Sequence, residues 1–206
     1  NKAARTTCVK PAGTTSLVLG TSSGIHAWHN EFYIRRLRVG KNEPIYKYLL
    51  AHNPDLVQDE YFRPHDTAVI EIPQSAPKGS IMRTESAFDL LERVKKVATE
   101  WVKPGHRTGS NSHNVSATIS LKKHEWDKAG KWMWDNRECY NGLAVLPYDG
   151  GSYTQAPFED ITEREFNKRV KLLNDVDLSK IIETTDETDL SGELACAGGS
   201  CEISSL

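Results

Sequence analysis

The sequence predicts an α/β fold, and three observations carry that reading. Strand-like segments alternate with segments whose apolar residues recur at helical spacing. The helical segments are bounded by start and stop residues, and no internal repeat interrupts the alternation from about residue 32 to residue 174. Strands separated by helices of this length imply largely parallel pairing.

The elements follow in order. FYIRRLRV, Phe32 to Val39, alternates like a half-buried strand, and EPIYKYLLAHN, Glu43 to Asn53, is helical with Pro44 in its first turn. DTAVIEIP reads as a second strand. TESAFDLLERVKKVATEWV, Thr84 to Val102, is the longest helix, with Thr84 as its N-cap and Pro104-Gly105 as its stop. HNVSATISL, His113 to Leu121, is a third strand. HEWDKAGKWMWDNREC is a helix despite Gly130, and GLAVLPYD, Gly142 to Asp149, is a fourth strand. In DITEREFNKRVKLLN, Asp160 to Asn174, Thr162 and Glu165 stand like the two halves of a capping box. From Asp175 onward the chain is acidic and rich in Ser, Thr and Gly, with only Ile181-Ile182 as an apolar pair. It therefore reads as a flexible tail, 175–206, after a domain of residues 1–174.

Composition bounds the function. With 206 residues, 38% of them hydrophobic and 26% charged, the chain can build one good-sized domain or a tight pair. A formal net charge of -2 gives no electrostatic footprint for nucleic acid, and Arg35, Arg36 and Arg38 lie within a strand pattern. No apolar run approaches the ~20 residues of a membrane helix, and the N-terminus lacks a signal-peptide layout, which points to a cytoplasmic protein. The chain starts at Asn1 without Met and is soon in a patterned segment, as expected of the back part of a longer polypeptide. Four cysteines, with Cys8 and Cys139 isolated, are too few and too uneven for a secreted disulfide framework.

Two stretches carry chemistry. The first is CVKPAGTTSLVLGTSSGIH, Cys8 to His26. Ala12 and Gly13 let backbone N–H groups approach an anion, Thr14, Thr15 and Ser16 add hydroxyls, and a helix starting near Thr14 would direct its positive end at the charge. No Gly-Lys-Ser/Thr closes the loop, so it is not a Walker loop. An ordinary Pro/Gly turn with a Ser/Thr cap would have the same composition. His26 and His29 are spaced H-x-x-H but have only Cys8 as a nearby further ligand. Hydrogen bonding within the loop or to the next strand is the expected use of both, with no metal.

The second stretch is Cys196-Ala-Gly-Gly-Ser-Cys201. Two thiols separated by four small residues can close into a disulfide and reopen with little strain, and an exposed tail lets either reach a distant disulfide. In a reducing compartment such a pair suits a transient catalytic disulfide better than a structural one. The plainer alternative is a chance pair near a frayed end, and structural zinc would need two more ligands than the tail offers.

Four blocks in register, VKPAGTTSLVLGTSSGIHAWHNEFYIRRLRV, HNVSATISLKKHEW, YNGLAVLPYDGGSYTQAPFEDIT and CAGGSC, resemble the C-terminal part of the adenosylcobalamin-dependent ribonucleoside-triphosphate reductases, the monomeric class II ribonucleotide reductases. The resemblance implies part of a ten-stranded α/β barrel built from two half-barrels. It maps a substrate-phosphate loop onto Pro11, Ala12, Gly13, Thr14, Thr15 and Ser16, and a redox pair onto Cys196 and Cys201. That pair would reduce the disulfide formed when the ribose 2'-hydroxyl leaves, and a thioredoxin-type partner would then reduce the pair.

Adenosylcobalamin is the implied cofactor, a ribonucleoside triphosphate the substrate, and the upstream part of the same polypeptide an obligatory partner of a monomeric enzyme. The family's radical cysteine and electron-donating cysteine pair lie upstream of the phosphate loop, and Cys8 and Cys139 do not sit in those motifs. The 206 residues are therefore expected to be inactive alone. Alternatives are the C-terminal part of a dimeric class II or a class I reductase, or a non-catalytic nucleotide-binding α/β module. The four-residue spacing of the terminal cysteines and the GIH block favour the monomeric type.

Overall fold

The computed structural model describes residues 2–148, 153–183 and 185. Along the chain the helices and strands are α1 (Gly13–Val18), β1 (Phe32–Gly40), α2 (Pro44–His52), β2 (Val57–Asp59), β3 (Thr67–Ser75), α3 (Ala87–Val97), β4 (Thr118–Leu121), α4 (Trp126–Asp135), β5 (Ala144–Pro147), β6 (Phe158–Asp160) and α5 (Glu163–Lys171). They fall into two compact units, one drawn from residues 2–28 and 77–148, the other from 29–76 and 153–183.

The first unit is built around α3. Ser86 caps this helix by accepting from the Asp89 N–H, and the Asp89 carboxylate accepts from the Ser86 N–H in return, so two orphan amides are satisfied together. The cap is Ser86 rather than the expected Thr84, because Ser86 has the acid three residues ahead. Leu90, Leu91 and Val94 recur at helical spacing and bury one face of α3 against Val115, Ile119 and Leu121, with Ala129 of α4 in the same core. Past Val97 the helix widens into a π-turn over Ala98–Val102, with the Lys103 N–H donating to the Ala98 carbonyl at 2.9 Å. The Thr7 hydroxyl donates to the Trp101 carbonyl at 2.8 Å, tying the N-terminal segment to this end of the helix. Gly105 is obligatory at that junction, since a Cβ would lie 2.0 Å from Thr7 Oγ1.

β4 and β5 are the one regular parallel pair among the described residues, with Thr118 to Leu121 in register with Ala144 to Pro147. Parallel neighbours need a crossover, and α4 provides it. Val9 extends the arrangement through a parallel bridge to Val115, with the Ser116 N–H donating to the Val9 carbonyl at 3.0 Å. Chain order in this layer is thus Val9 beside β4 beside β5.

The second unit corrects the expectation of parallel pairing. Its sheet runs β2-β3-β1-β6, and every pair in it is antiparallel. β1 and β3 pair over nine residues each, Phe32 opposite Ser75 through Gly40 opposite Thr67. The connection through α2 and β2 returns the chain alongside β1 in the opposite sense, a choice the alternation of strand and helix does not determine. Tyr48, Leu49, Leu56 and Ile70 form its apolar cluster, joined by Val39, Ile45, Ile72, Leu173 and Ile181. α5 starts at Thr162, whose hydroxyl accepts from the Glu165 N–H at 3.2 Å, but the Glu165 carboxylate pairs with Arg169 rather than closing the predicted box. The architecture is mixed α/β, and within the described residues the sheets have four and two strands and neither closes into a barrel.

Candidate functional site

The loop after Val9 leaves the layer at Lys10 and Pro11 and enters α1 at Gly13. The amides of a helix's first turn have no acceptor within the helix, so the turn at Gly13 offers N–H groups at its open end. Ala12 is the pivot. Its carbonyl accepts from Ser16 Oγ and, at 3.2 Å, from Ser23 Oγ, so two hydroxyls eleven and four residues away hold one peptide unit in place. Ser16 is 5% exposed and its hydroxyl proton is turned inward onto this carbonyl, whereas Thr15 is exposed.

The second half of the stretch folds back over the first. Gly24 has φ of 60°, and a Cβ there would touch Pro11 Cα and N at 3.4 Å, so the turn needs a residue at ease in the left-handed region and lies directly on Pro11. His26 locks it down. Its Nε2 accepts from the Thr118 N–H at 3.0 Å, which leaves Nδ1 to carry the proton and donate to the Ser23 carbonyl at 2.9 Å. One imidazole thereby ties the start of β4 to Ser23, and Ser23 to Ala12. Sequence reasoning placed Pro11 to Ser16 together but missed Ser23 and Gly24, for which the TSSG tetrapeptide was the available signal.

His29 belongs to the other unit. Its Nε2 lies 2.8 Å from Asp160 Oδ1, and its ring stacks on Phe158 with centroids 5.0 Å apart. His26 thus makes the expected hydrogen bond within the loop, whereas His29 faces Asp160 of β6 rather than the strand that follows it. Among the described residues no group of three or more His, Cys, Asp or Glu side chains is placed to hold a metal ion. Cys8 is exposed and its carbonyl accepts from Trp101 Nε1 at 3.3 Å. Cys139 is half-buried, and burial pushes its thiol pKa above the ordinary value. Cys196 and Cys201 lie outside the described residues. No helix among the described residues is long and apolar enough to cross a membrane.

The strongest charge cluster is in the second unit. Glu71, 2% exposed, receives Arg36 Nε at 2.7 Å on one oxygen, and Arg169 Nη1 at 3.0 Å and Gln58 Nε2 at 3.1 Å on the other. Arg36 also bonds Glu159 and, at 3.1 Å, the Ala156 carbonyl. β1, β2, β3, β6 and α5 or their flanks all contribute, which makes this a structural knot rather than an open site.

No protein-family model matches the chain. Over 207 residues it is 27% identical to the adenosylcobalamin-dependent ribonucleoside-triphosphate reductase of Lactobacillus acidophilus, an alignment covering 98% of this chain and 27% of that protein. It is 30% identical over 190 residues to the protein of the same name from Euglena gracilis, covering 88% of this chain and 24% of that one. The fold is similar to a crystal structure of a B-12 dependent class II ribonucleotide reductase, with a TM-score of 0.67, 24% identity, and coverage of 84% of this chain and 23% of that one. The chain spans about a quarter of the length of the relatives it matches.

Proposed function

We propose, for a chain related along nearly its whole length to the adenosylcobalamin-dependent ribonucleoside-triphosphate reductases, that it serves in the radical reduction of ribonucleoside triphosphates to 2'-deoxyribonucleoside triphosphates. The match over 98% of the chain carries this reading. In the complete polypeptide this part supplies the grip on substrate phosphates and the delivery of electrons.

The grip falls to Pro11, Ala12, Gly13, Thr14, Thr15 and Ser16. The inward hydroxyls of Ser16 and Ser23 hold the Ala12 carbonyl, so the binding groups are chiefly the backbone amides at the start of α1, with the exposed Thr15 hydroxyl beside them. A preset loop lowers the ordering cost of binding.

Electron delivery falls to Cys196 and Cys201. Each reduction removes the 2'-hydroxyl as water and leaves two upstream thiols as a disulfide. One thiolate of the pair attacks that disulfide, the other resolves the mixed disulfide, and the upstream thiols are regenerated with Cys196–Cys201 oxidised. A thioredoxin-type dithiol then reduces the pair by the same exchange. Adenosylcobalamin supplies the radical chemistry in the whole enzyme. Both ring nitrogens of His26 are committed and His29 Nε2 faces Asp160, so no contact to the cofactor is assigned to this part. The enzyme is read as a cytoplasmic monomer.

The deciding experiment is an assay of the complete polypeptide for cobalamin-dependent conversion of ribonucleoside triphosphates. Deoxyribonucleotide formation that needs adenosylcobalamin supports the reading. Nucleotide binding with no conversion would return the chain to a non-catalytic module.

A further inference from the structure

Resting on the phosphate-grip reading just given, we propose that Arg93, braced by Glu85, is a positioning residue for the loop at Pro11 to Ser16. It sets the direction of the Gly13 N–H through Ile25, His26 and Ser23. Arg93 stands on the flank of the α3 face that buries Leu90 and Val94. Its guanidinium acts as a fork. Nη1 donates to the Ile25 carbonyl at 2.9 Å and to Glu85 Oε1 at 3.1 Å, while Nη2 donates to Glu85 Oε2. The two side chains are 22% and 13% exposed, so this planar, two-point pair is sheltered from solvent and stiff.

Ile25 is where the brace meets the loop. On one side of it is Gly24, which lies so close to Pro11 that a Cβ would be 3.4 Å from Pro11 Cα and N. On the other side is His26, whose N–H and Nδ1 both donate to the Ser23 carbonyl, at 3.1 and 2.9 Å, and whose Nε2 accepts from the Thr118 N–H. The Ser23 hydroxyl in turn donates to the Ala12 carbonyl. The segment leading to Glu85 holds the far end of the same turn. Trp28 bridges Met82, its N–H donating to the Ile81 carbonyl at 2.7 Å and its carbonyl accepting from the Arg83 N–H at 2.8 Å.

Peptide geometry carries this to the anion. Ala12 and Gly13 share one trans peptide unit, in which the C=O and N–H point in opposite directions. The hydroxyls of Ser16 and Ser23 pin the carbonyl, so the Gly13 N–H is turned away from them. Without the Arg93 fork the Ile25 carbonyl and the Glu85 carboxylate lose this donor, and the turn that carries Ser23 loses its brace from α3. Arg93 thus acts through the turn rather than on substrate.

The test uses the complete polypeptide, with nucleotide KM, kcat and the inhibition constant of inorganic tripolyphosphate measured for Arg93→Gln, Glu85→Gln and Gly13→Val. In Arg93→Gln the KM and the tripolyphosphate constant are expected to rise together by about fivefold, the factor one net hydrogen bond is worth, with kcat within about twofold of the parent. The rise should be the same for purine and pyrimidine substrates. Amide exchange at His26 should quicken about tenfold. Glu85→Gln leaves Arg93 in place but loosens its anchor; it should show the same pattern at about twofold, and it decides the matter if Arg93→Gln does not fold. A rise in Gly13→Val with no change in the other two variants overturns the positioning role and leaves the loop reading standing. A fall in kcat at constant KM, or a KM that rises while the tripolyphosphate constant does not, overturns the positioning role in the same way. No change in any of the three variants overturns the loop reading and the positioning role with it.

Discussion

Arg36 and Glu71 sit directly opposite each other on β1 and β3, both within a tenth of full burial, with Arg36 Nη2 2.6 Å from Glu71 Oε1. Burial works against the guanidinium charge, but its bonds to Glu159 and Glu71 outweigh that and hold the Arg36 pKa above its ordinary value. Two cations share Glu71, since Arg169 reaches its second oxygen from α5. Removing the carboxylate therefore leaves a buried and a half-buried guanidinium without their common partner.

Glu71→Ala should cost about 3–5 kcal/mol of stability, the range for breaking a buried pair from one side. Glu159→Gln, on a half-exposed partner of the same arginine, should cost less than about 1 kcal/mol. Urea denaturation of the two variants checks both values. Equal, small losses would mean that the Glu71 cluster does not hold the sheet.

This pair also marks where the sequence stops being readable. The strand pattern of Phe32 to Val39 was legible because Arg36, Leu37, Arg38 and Val39 alternate, yet that pattern carries no sign that an arginine is buried. Arg35 and Arg36 are in fact buried, and only the register that puts Glu71 opposite Arg36 accounts for the latter. Register and strand direction depend on partners distant in sequence, so the antiparallel sheet was not legible. β2 and β6, at three residues each, are too short to show a period. In the candidate site, glycine and hydroxyl content marked the Pro11 to Ser16 turn, but the bond from Ser23 to Ala12 needs a fold-back that the local pattern does not encode.

The cap of α3 gives a pH-dependent prediction. The Asp89 carboxyl is held below the usual carboxylate range, first by the Ser86 hydroxyl and then by the Ser86 backbone N–H. With the folded-state pKa depressed, the contribution is present above the ordinary carboxylate pKa near 3.9 and is lost as pH falls through the lower folded value. Acid titration should therefore release the Ser86 amide at a pH below the range where free carboxylates titrate, and Asp89→Asn should abolish that step. Ser86→Ala should cost about 1 kcal/mol at neutral pH. NMR of the Ser86 amide and thermal melts provide the readouts. A Ser86 amide indifferent to pH would contradict the reciprocal cap.

The loop makes a graded prediction. If backbone amides hold the phosphates, Gly13→Val in the complete enzyme should raise the KM for the nucleotide more than Thr15→Ala, which removes only an exposed hydroxyl. Gly24→Ala tests the support beneath the loop, because a Cβ at φ of 60° costs about 1–2 kcal/mol and meets Pro11. Its effect should appear in KM together with a lowered melting temperature. Unchanged kinetics in Gly13→Val would take the loop out of the substrate site.

The terminal cysteines should be needed for repeated turnover and dispensable for the first. In the proposed reaction upstream thiols reduce the substrate, and because they start reduced one cycle would need no tail. Every later cycle would then import two electrons through Cys196 and Cys201. With Cys196→Ser and Cys201→Ser together, thioredoxin should support about one product per enzyme. Dithiothreitol, small enough to reach the upstream disulfide itself, should partly restore turnover. A single Cys196→Ser change should be nearly as damaging as both, because a lone thiol can open the upstream disulfide but stalls as a mixed disulfide with nothing to resolve it. Rapid-quench counting of product per enzyme separates the cases, and a normal steady-state rate with thioredoxin in the double variant would leave the pair without a part in electron delivery.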